Sequence, residues 1–358
     1  MTDELRESWG LQALQQDLQR VEPGLTLEVV ESLASTNTAL LERVAAARAA
    51  SSVPASVPAS VSASVPASVP APASAGGDQR PTWTSCLLVA QEQTQGRGRQ
   101  GRAWHAQPGS SLTFSLGLRL APQDWSGLSL AVGVALAQAL DPDGGPNCDP
   151  HAEPASGAET AAPRILLKWP NDLWLRDGQA AGGGRKLGGV LIETAHAWTD
   201  DPPTALVGAQ PASGPSTGPR RLQEPRTPAR ICVIGVGLNI GPQLAVTVEQ
   251  AATGVACLQE MEPQATAAQA LARVVLPLLQ AVRRFEQSGF AGVAHAFARR
   301  DLLHGKAVST TLPDLPEGTA QGVDEAGALQ VRAPDGALRS VVGGEVSIRL
   351  RHGDSACA

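Results

Sequence analysis

The sequence predicts an α+β protein: a mixed or antiparallel sheet packed with helices, followed by a small all-β module. Three observations carry this reading. Apolar runs of strand length, such as 84–93, 110–120 and 230–240, recur around a few longer helical stretches. Segments rich in Pro, Ala, Ser and Gly interrupt these runs and read as insertions within one domain. The last sixty or so residues switch to short strands punctuated by turn signals at Pro334, Asp335 and Gly336 and again at Gly343 and Gly344.

Taken in order, 25–33 is a short strand, and 35–50 is a helix opened by Ser35 or Thr36 as N-cap. Residues 84–93 form a strand that runs into a glycine- and arginine-rich loop, and 110–120 alternates like a half-buried strand. An apolar helix over 126–140 is stopped by Asp141 and Pro142. Two strands, 165–175 and 186–198, flank a glycine-rich turn; 230–240 is a buried strand; helices follow over 266–290 and 292–301. The expected division is a first domain over 1–300 and a β-barrel over 301–358. Three low-complexity insertions fall around 51–80, 141–163 and 199–229. The first is an imperfect Ala-Ser-Val-Pro repeat whose prolines forbid a helix and whose small side chains cannot offset ordering entropy.

Composition excludes several functions. The net charge of −6 argues against a general nucleic-acid footprint. Five scattered cysteines without a C-x-x-C pair, and six dispersed histidines, argue against a disulfide framework and a zinc site. The charged N-terminus lacks an apolar signal core, and no apolar run reaches 18 residues, so a cytoplasmic, non-membrane protein is expected. Of 28 basic residues only three, Lys168, Lys186 and Lys306, are lysine. A compact, rotatable point charge is therefore rare in this chain.

The stretch Gln93–Trp104, "QTQGRGRQGRAW", contains Gly96, Gly98 and Gly101 in G-x-G-x-x-G spacing. A dinucleotide-binding turn needs a helix to begin within the motif, and here Pro108 and Gly109 block one. The partial match at 235–241 is followed by Pro242 and fails in the same way. An RNA-binding patch needs interleaved aromatics or a basic surround, and neither is present. What remains is a solvated turn or a loop that folds over a small anion, with glycines permitting close approach and arginines supplying charge-assisted bonds. The blocks "KWPNDLWL" (168–175) and "RKLGGVLIE" (185–193) place Lys168 at a strand-to-turn junction next to Asn171 and Asp172 and Lys186 immediately before a Gly-Gly and a strand, where with the arginines they could neutralise a triphosphate.

With "STN" (35–37), "VIGVGLNI" (233–240) and the C-terminal "GALQV…GGEVSIR" (327–349), these blocks resemble the biotin protein ligases in order and spacing. Lipoate ligases share the broader fold but lack this combination. The resemblance implies a catalytic domain related to class II aminoacyl-tRNA synthetases and a small SH3-like C-terminal barrel. It implies biotin and Mg-ATP as substrates, biotinyl-5′-AMP as intermediate, and a lysine of a biotin carboxyl carrier domain as acceptor. It places Ser35, Thr36, Asn37 and Gln93 around the biotin ureido ring. Gly96, Arg97, Gly98, Arg99 and Arg102 fall in a loop that closes over biotin and its adenylate. Trp104, Lys168, Asn171, Gly235, Gly237 and Asn239 lie on the nucleotide side. Lys186 would stand at the reacting carboxylate and phosphate, with Gly188 and Gly189 allowing close approach, and Asp172 would orient or deprotonate the acceptor lysine. Arg99 and Lys186, with Asp172, are the expected catalytic set; no protein side chain is expected to ligate a metal. About 24 residues precede the first strand, too few for a helix-turn-helix with its wing, so no operator binding is expected. A homodimer is left open. A biotin-binding sensor without transferase activity and a lipoate- or octanoate-type ligase are the alternatives.

Overall fold

The computed structural model describes residues 7, 9–51, 83–142, 164–180, 182–196, 228–243, 254–343 and 348–350. The three expected insertions lie almost wholly outside the described residues. The first unit contains α1 (Leu11–Val21), β1 (Thr26–Leu33), α2 (Thr36–Ser51), β2 (Cys86–Gln93), β3 (Ser111–Leu120) and α3 (Leu128–Leu140). It continues with β4 (Ile165–Lys168), β5 (Asp172–Arg176), β6 (Gly184–His196), β7 (Arg230–Asn239), α4 (Ala267–Ser288) and the short α5 (Ala294–Ala298). The second unit is β8 (Ala307–Leu312), β9 (Leu315–Val323), β10 (Leu329–Arg332), β11 (Leu338–Val341) and β12 (Ile348–Leu350).

The first seven strands make one sheet in the order β1-β2-β3-β7-β6-β5-β4. Only β1 and β2 run parallel; every other neighbour is antiparallel, so the sheet is mixed, as expected. Strand alternation sorts its two faces. Leu112, Phe114, Leu116 and Leu118 of β3, with Ile234 and Val236 of β7, point into the main core beneath α1, α3 and α4. The opposite face is thinner. There α2 packs Leu40 on Cys86, Leu88 and Val233, and the neighbouring positions are small or polar: Thr113, Ser115, Gly235 and Gly237. The main core therefore fixes a sheet whose other face is left open for a site.

Two elements differ from the sequence reading. Helix α1 was not foreseen; its three buried residues, Leu11, Leu14 and Leu18, are spread among glutamines and charges. Residues 165–175 are not one strand but the hairpin β4–β5, with Lys168 paired to Asp172 across a turn at Trp169–Asn171. Helix α4 follows expectation, opened by a capping box in which Thr266 and Gln269 exchange hydrogen bonds.

The C-terminal strands form a five-stranded antiparallel sheet, β11-β10-β9-β8-β12. It is joined to the first unit through Arg300–Leu302, which lies alongside β4. Leu167 N donates to Arg300 O at 2.7 Å, and Leu302 N donates to Leu167 O at 2.9 Å. Arg300 is buried and its guanidinium reaches Asp141 Oδ2 at 2.7 Å. The adjacent Asp301 is also buried; its Oδ1 accepts from Leu303 N at 2.8 Å, while its Oδ2 has no hydrogen-bond partner among the described residues.

Burial pushes the Asp301 carboxyl up from 3.8 to about 6, against the opposing pull of its backbone bonds and of the nearby His304 and Lys306. A folded-state value above the unfolded one means that ionisation opposes folding. The penalty is absent below pH 4, grows between pH 4 and 6, and persists above. Asp301→Asn is therefore expected to stabilise the protein at pH 8 by up to about 2 kcal/mol, with the gain shrinking towards pH 4. Denaturant melts at the two pH values check this; an equal effect at both would show that the Asp301 charge is not the cause.

Candidate active site

The open face of the sheet is floored by backbone. Gly235 and Gly237 of β7 sit opposite Ser115 and Thr113 of β3 on one side and opposite Leu191 and Gly189 of β6 on the other. A Cβ on Gly235 would come within 2.3 Å of Asn37 Oδ1, and one on Gly237 within 2.5 Å of the Trp104 indole. Both glycines are needed because neighbouring side chains lie directly on the strand.

The N-terminus of α2 enters over this floor. Ser35, one of the two caps the sequence offers, accepts from Thr38 N at 3.4 Å. Thr36 N donates to Gln93 Oε1 at 2.7 Å, and Asn37 Nδ2 donates to Leu191 O and to Glu193 Oε2 at 3.2 and 2.9 Å. Ser115 Oγ lies 2.6 Å from both Thr36 Oγ1 and Asn37 Oδ1. These groups, drawn from three strands and a helix, form one buried polar array.

The glycine–arginine stretch folds as a tight hairpin above the floor. Trp104 N donates to Gly96 O at 2.8 Å, Arg97 faces Ala103, and Gly98 N donates to Arg102 O at 2.7 Å. Gln100 at its tip has a φ of 57°, the one positive value outside glycine among the described residues. Two arginines fasten the hairpin to the sheet. Arg97 Nη2 lies 3.0 Å from both oxygens of Glu193, and Arg99 Nη1 donates to Asn171 Oδ1 at 3.2 Å. Burial lowers the Arg99 pKa from its usual value, with Arg102 acting the same way and Asp172 opposing. Its charge is thus held in a partly desolvated place, where an incoming anion would be welcome.

Lys186 owes its position to an irregularity of β6. Leu173 pairs with Gly188 and Trp174 with Lys186, so Leu187 is an extra residue, a bulge that redirects its neighbours. The Lys186 backbone is held by Gly254 O and Ala256 N at 3.1 and 2.9 Å, and Asn239 Nδ2 donates to Ala256 O at 3.0 Å. Its Nζ meets Asp172 Oδ1 at 2.8 Å and stands 6.0 Å from the centre of the Trp104 ring. Lys168 Nζ lies 5.0 Å over Trp174, within reach of a cation–π contact. Asn171 fixes the hairpin turn to β6, exchanging backbone and side-chain bonds with Val190 at 2.9 Å each.

Together these groups line an open cleft. Of the residues singled out in the sequence, Ser35, Thr36, Asn37, Gln93, Arg97, Gly98, Arg99, Arg102, Trp104, Lys168, Asn171, Asp172, Lys186, Gly189, Gly235 and Gly237 all face it. Gly96, Gly188 and Asn239 stand behind the lining and shape it. A Cβ on Gly96 would strike Trp104 O, one on Gly188 would strike Gly237 O, and Asn239 braces the segment beside Lys186. Sequence reasoning missed Glu193 and Ser115. Glu193 closes an otherwise recognised block, and Ser115 occupies a strand position whose alternation reads as solvent-facing but is fully buried. Five cations, Arg97, Arg99, Arg102, Lys168 and Lys186, line the cleft against one carboxylate, Asp172. Such a site suits an anionic ligand whose other end is polar and uncharged.

Comparisons with known proteins agree with this chemistry. The model of the biotin/lipoate A/B protein ligase family matches residues 78–200, and that of the biotin protein ligase C-terminal domain matches 303–349. The bifunctional ligase/repressor BirA of Salmonella typhimurium is 29% identical over 264 residues, 73% of this chain; the match spans 66% of that protein. The biotin–[acetyl-CoA-carboxylase] ligase of Paracoccus denitrificans is 27% identical over 259 residues, 70% of this chain and 86% of that one. Among solved structures, the biotin protein ligase from Aquifex aeolicus in complex with biotin and ATP shares the fold, with a TM-score of 0.54 at 20% identity. That superposition covers 91% of this chain and 99% of the other. In fold and site the chain resembles the wider biotin and lipoate ligase group. Within that group it is similar in sequence to the biotin protein ligases.

The seat of the hairpin gives a direct test. Gly237→Ala should push the Trp104 indole off β7 and expose the Arg97–Arg102 hairpin to trypsin, accelerating cleavage there by about tenfold or more. An unchanged cleavage rate would show that the indole does not seat the hairpin.

Proposed function

We propose that the protein is an ATP-dependent biotin protein ligase. It converts biotin and ATP to biotinyl-5′-AMP and diphosphate, then transfers biotin to a lysine of a biotin carboxyl carrier domain. The observation that carries this is the single cleft in which a polar array at Thr36, Asn37, Gln93 and Ser115 adjoins the cations Arg99, Lys168 and Lys186. One end suits a neutral cyclic urea and the other an acyl phosphate.

In the first half-reaction a biotin carboxylate oxygen attacks the α-phosphorus and diphosphate leaves. Lys186 exchanges Asp172 for the ligand's oxygens and holds carboxylate and phosphate together; Arg99 and Arg102, with Lys168, offset the remaining charge. Magnesium enters this scheme as the companion of the triphosphate. Among the described residues no three or more His, Cys, Asp or Glu side chains gather to hold a metal. In the second half-reaction the acceptor amine attacks the biotinyl carbonyl and AMP leaves. Asp172, released by Lys186, is placed to orient that amine and take its proton.

Ser35, Thr36, Asn37 and Gln93 take the ureido ring; Gly96, Arg97 and Gly98 cover the bound acid; Gly188 and Gly189 permit its close approach. Trp104, Asn171, Gly235, Gly237 and Asn239 shape the nucleotide side. The same reading assigns residues 1–300 to a catalytic domain akin to class II aminoacyl-tRNA synthetases and 301–358 to an SH3-like barrel. It places the enzyme in the cytoplasm, acting on a carrier protein rather than on DNA. No helix among the described residues is long and apolar enough to cross a membrane.

Incubation with biotin, Mg-ATP and a carrier domain should yield one biotinylated lysine by mass spectrometry; absence of both adenylate and labelled carrier would refute the proposal. Replacing biotin with lipoate or octanoate should give no transfer. Lys186→Arg keeps the charge but not the compact ammonium, and should slow adenylate formation by about 10²-fold or more. A near-normal rate would mean that charge alone suffices. Arg99→Gly frees the hairpin tip from Asn171 and should raise the release rate of biotinyl-AMP by about tenfold, seen as labelling of bystander amines. Retention equal to wild type would remove Arg99 as the closing contact.

A further inference from the structure

We infer that Glu193 sets the hydrogen-bond polarity of the ligand-binding array and so acts as a specificity-determining positioning residue. The inference rests on the biotin ligase reading above. Glu193 does not line the cleft; it acts through a relay of three side chains.

The relay follows from which atoms can only accept. Asn37 Nδ2 lies 2.9 Å from Glu193 Oε2 and 3.2 Å from Leu191 O. A carboxylate and a carbonyl have no proton to give, so both Asn37 amide hydrogens are committed there. Asn37 Oδ1 must then face Ser115 Oγ, 2.6 Å away, and it too can only accept. Ser115 spends its single proton on that contact. The contact between Ser115 Oγ and Thr36 Oγ1, also 2.6 Å, is left to be supplied by the Thr36 hydroxyl. Thr36 Oγ1 also lies 3.2 Å from Gln93 Oε1, a longer contact that shares the same proton. Meanwhile Thr36 N donates to Gln93 Oε1 at 2.7 Å, which turns the Gln93 amide nitrogen the other way.

The outcome is a fixed pattern at the cleft. Thr36 Oγ1 offers a lone pair as acceptor, whereas the Gln93 amide and the Ser35 hydroxyl, whose oxygen already caps α2, offer protons. A cyclic urea presents the complement: N–H donors beside a carbonyl acceptor. Glu193 is itself held in place by Arg97, 3.0 Å from each of its oxygens. The covering hairpin and the polarity of the floor therefore share one carboxylate. Ser115 and Glu193 make no direct contact; they communicate only through Asn37.

Glu193→Gln keeps the volume of a partly exposed residue but replaces an acceptor with a group that can also donate. Leu191 O, on the longer bond, is then the sole fixed acceptor holding the Asn37 amide; in the molecules where Asn37 turns over, Ser115 and Thr36 reverse, and the floor distinguishes donor from acceptor less sharply. The test is calorimetric binding of biotin and of 2-iminobiotin, whose protonated guanidinium donates where the ureido C=O accepts, to wild type, Glu193→Gln, the charge-neutral Ser115→Ala and the double variant. The wild-type preference for biotin should narrow by about tenfold in each single variant. The double variant should narrow it no further, because both changes interrupt one relay. An unchanged preference in Glu193→Gln, or additive losses in the double variant, would overturn the inference. Failure of the wild-type protein to bind biotin at all would instead overturn the ligase reading, and this inference with it.

Discussion

The architecture depends on one buried ion pair. Arg300 and Asp141 are only 3% and 4% exposed, and no other charged pair of the described residues is as deeply enclosed. Such a pair stabilises only if its remaining hydrogen-bonding capacity is met. Here it is: Asp141 Oδ2 also accepts from Arg164 N and Ile165 N at 2.8 and 3.1 Å, and Arg300 donates further to Ile165 O and Asp141 O, both at 2.8 Å. The end of α3, the start of β4 and the run into the C-terminal sheet are tied at one point. Because Asp141 and Arg164 are 23 positions apart, the same carboxylate also closes the base of the second low-complexity segment.

The active cleft inherits its geometry from that knot. Strand β4 leads from Ile165 directly to Lys168 and the turn that carries Asn171 and Asp172. The far side of this turn is gripped by the C-terminal sheet, where the buried Trp169 indole donates to Gly327 O at 3.0 Å and Ile348 lines the cleft. Within the cleft three cations are parked on protein partners: Arg97 on Glu193, Arg99 on Asn171 and Lys186 on Asp172. Partly exposed pairs of this kind contribute about 1 kcal/mol or less, so an anionic ligand can exchange for them at small cost. The cations of the site are thus paired without being locked away.

Much of this was legible in the sequence. Most of the strand and helix order of the first unit follows from local pattern, and the rarity of lysine links the glycine–arginine loop to the Lys168 and Lys186 blocks; the 35–37 and 233–240 blocks join them through the family resemblance. What escaped was of two kinds. Helix α1 buries only three leucines amid glutamines, so its apolar stripe is too thin to stand out against a polar background. The β4–β5 hairpin reads as a continuous strand because Trp169 sustains the apolar run through the turn. Ser115 and Glu193 escaped for a different reason. Their roles consist of bonds to Asn37 across 78 and 156 positions, and nothing in either local sequence encodes that meeting. Local physics predicts which residues are unusual; tertiary pairing decides what they do.

The floor of the cleft has a consequence for how this site could ever be altered. At Gly235 and Gly237 the wall is main chain, and any side chain there collides with Asn37 or Trp104. There is no residue at the centre to exchange for one of different size or charge. Change in what the cleft binds, whether by natural drift or by engineering, must therefore come from the rim. The rim, in turn, is built of side chains that also hold the hairpin and the helix end in place. Altering what the site recognises and altering how it closes are, in this protein, the same mutational step.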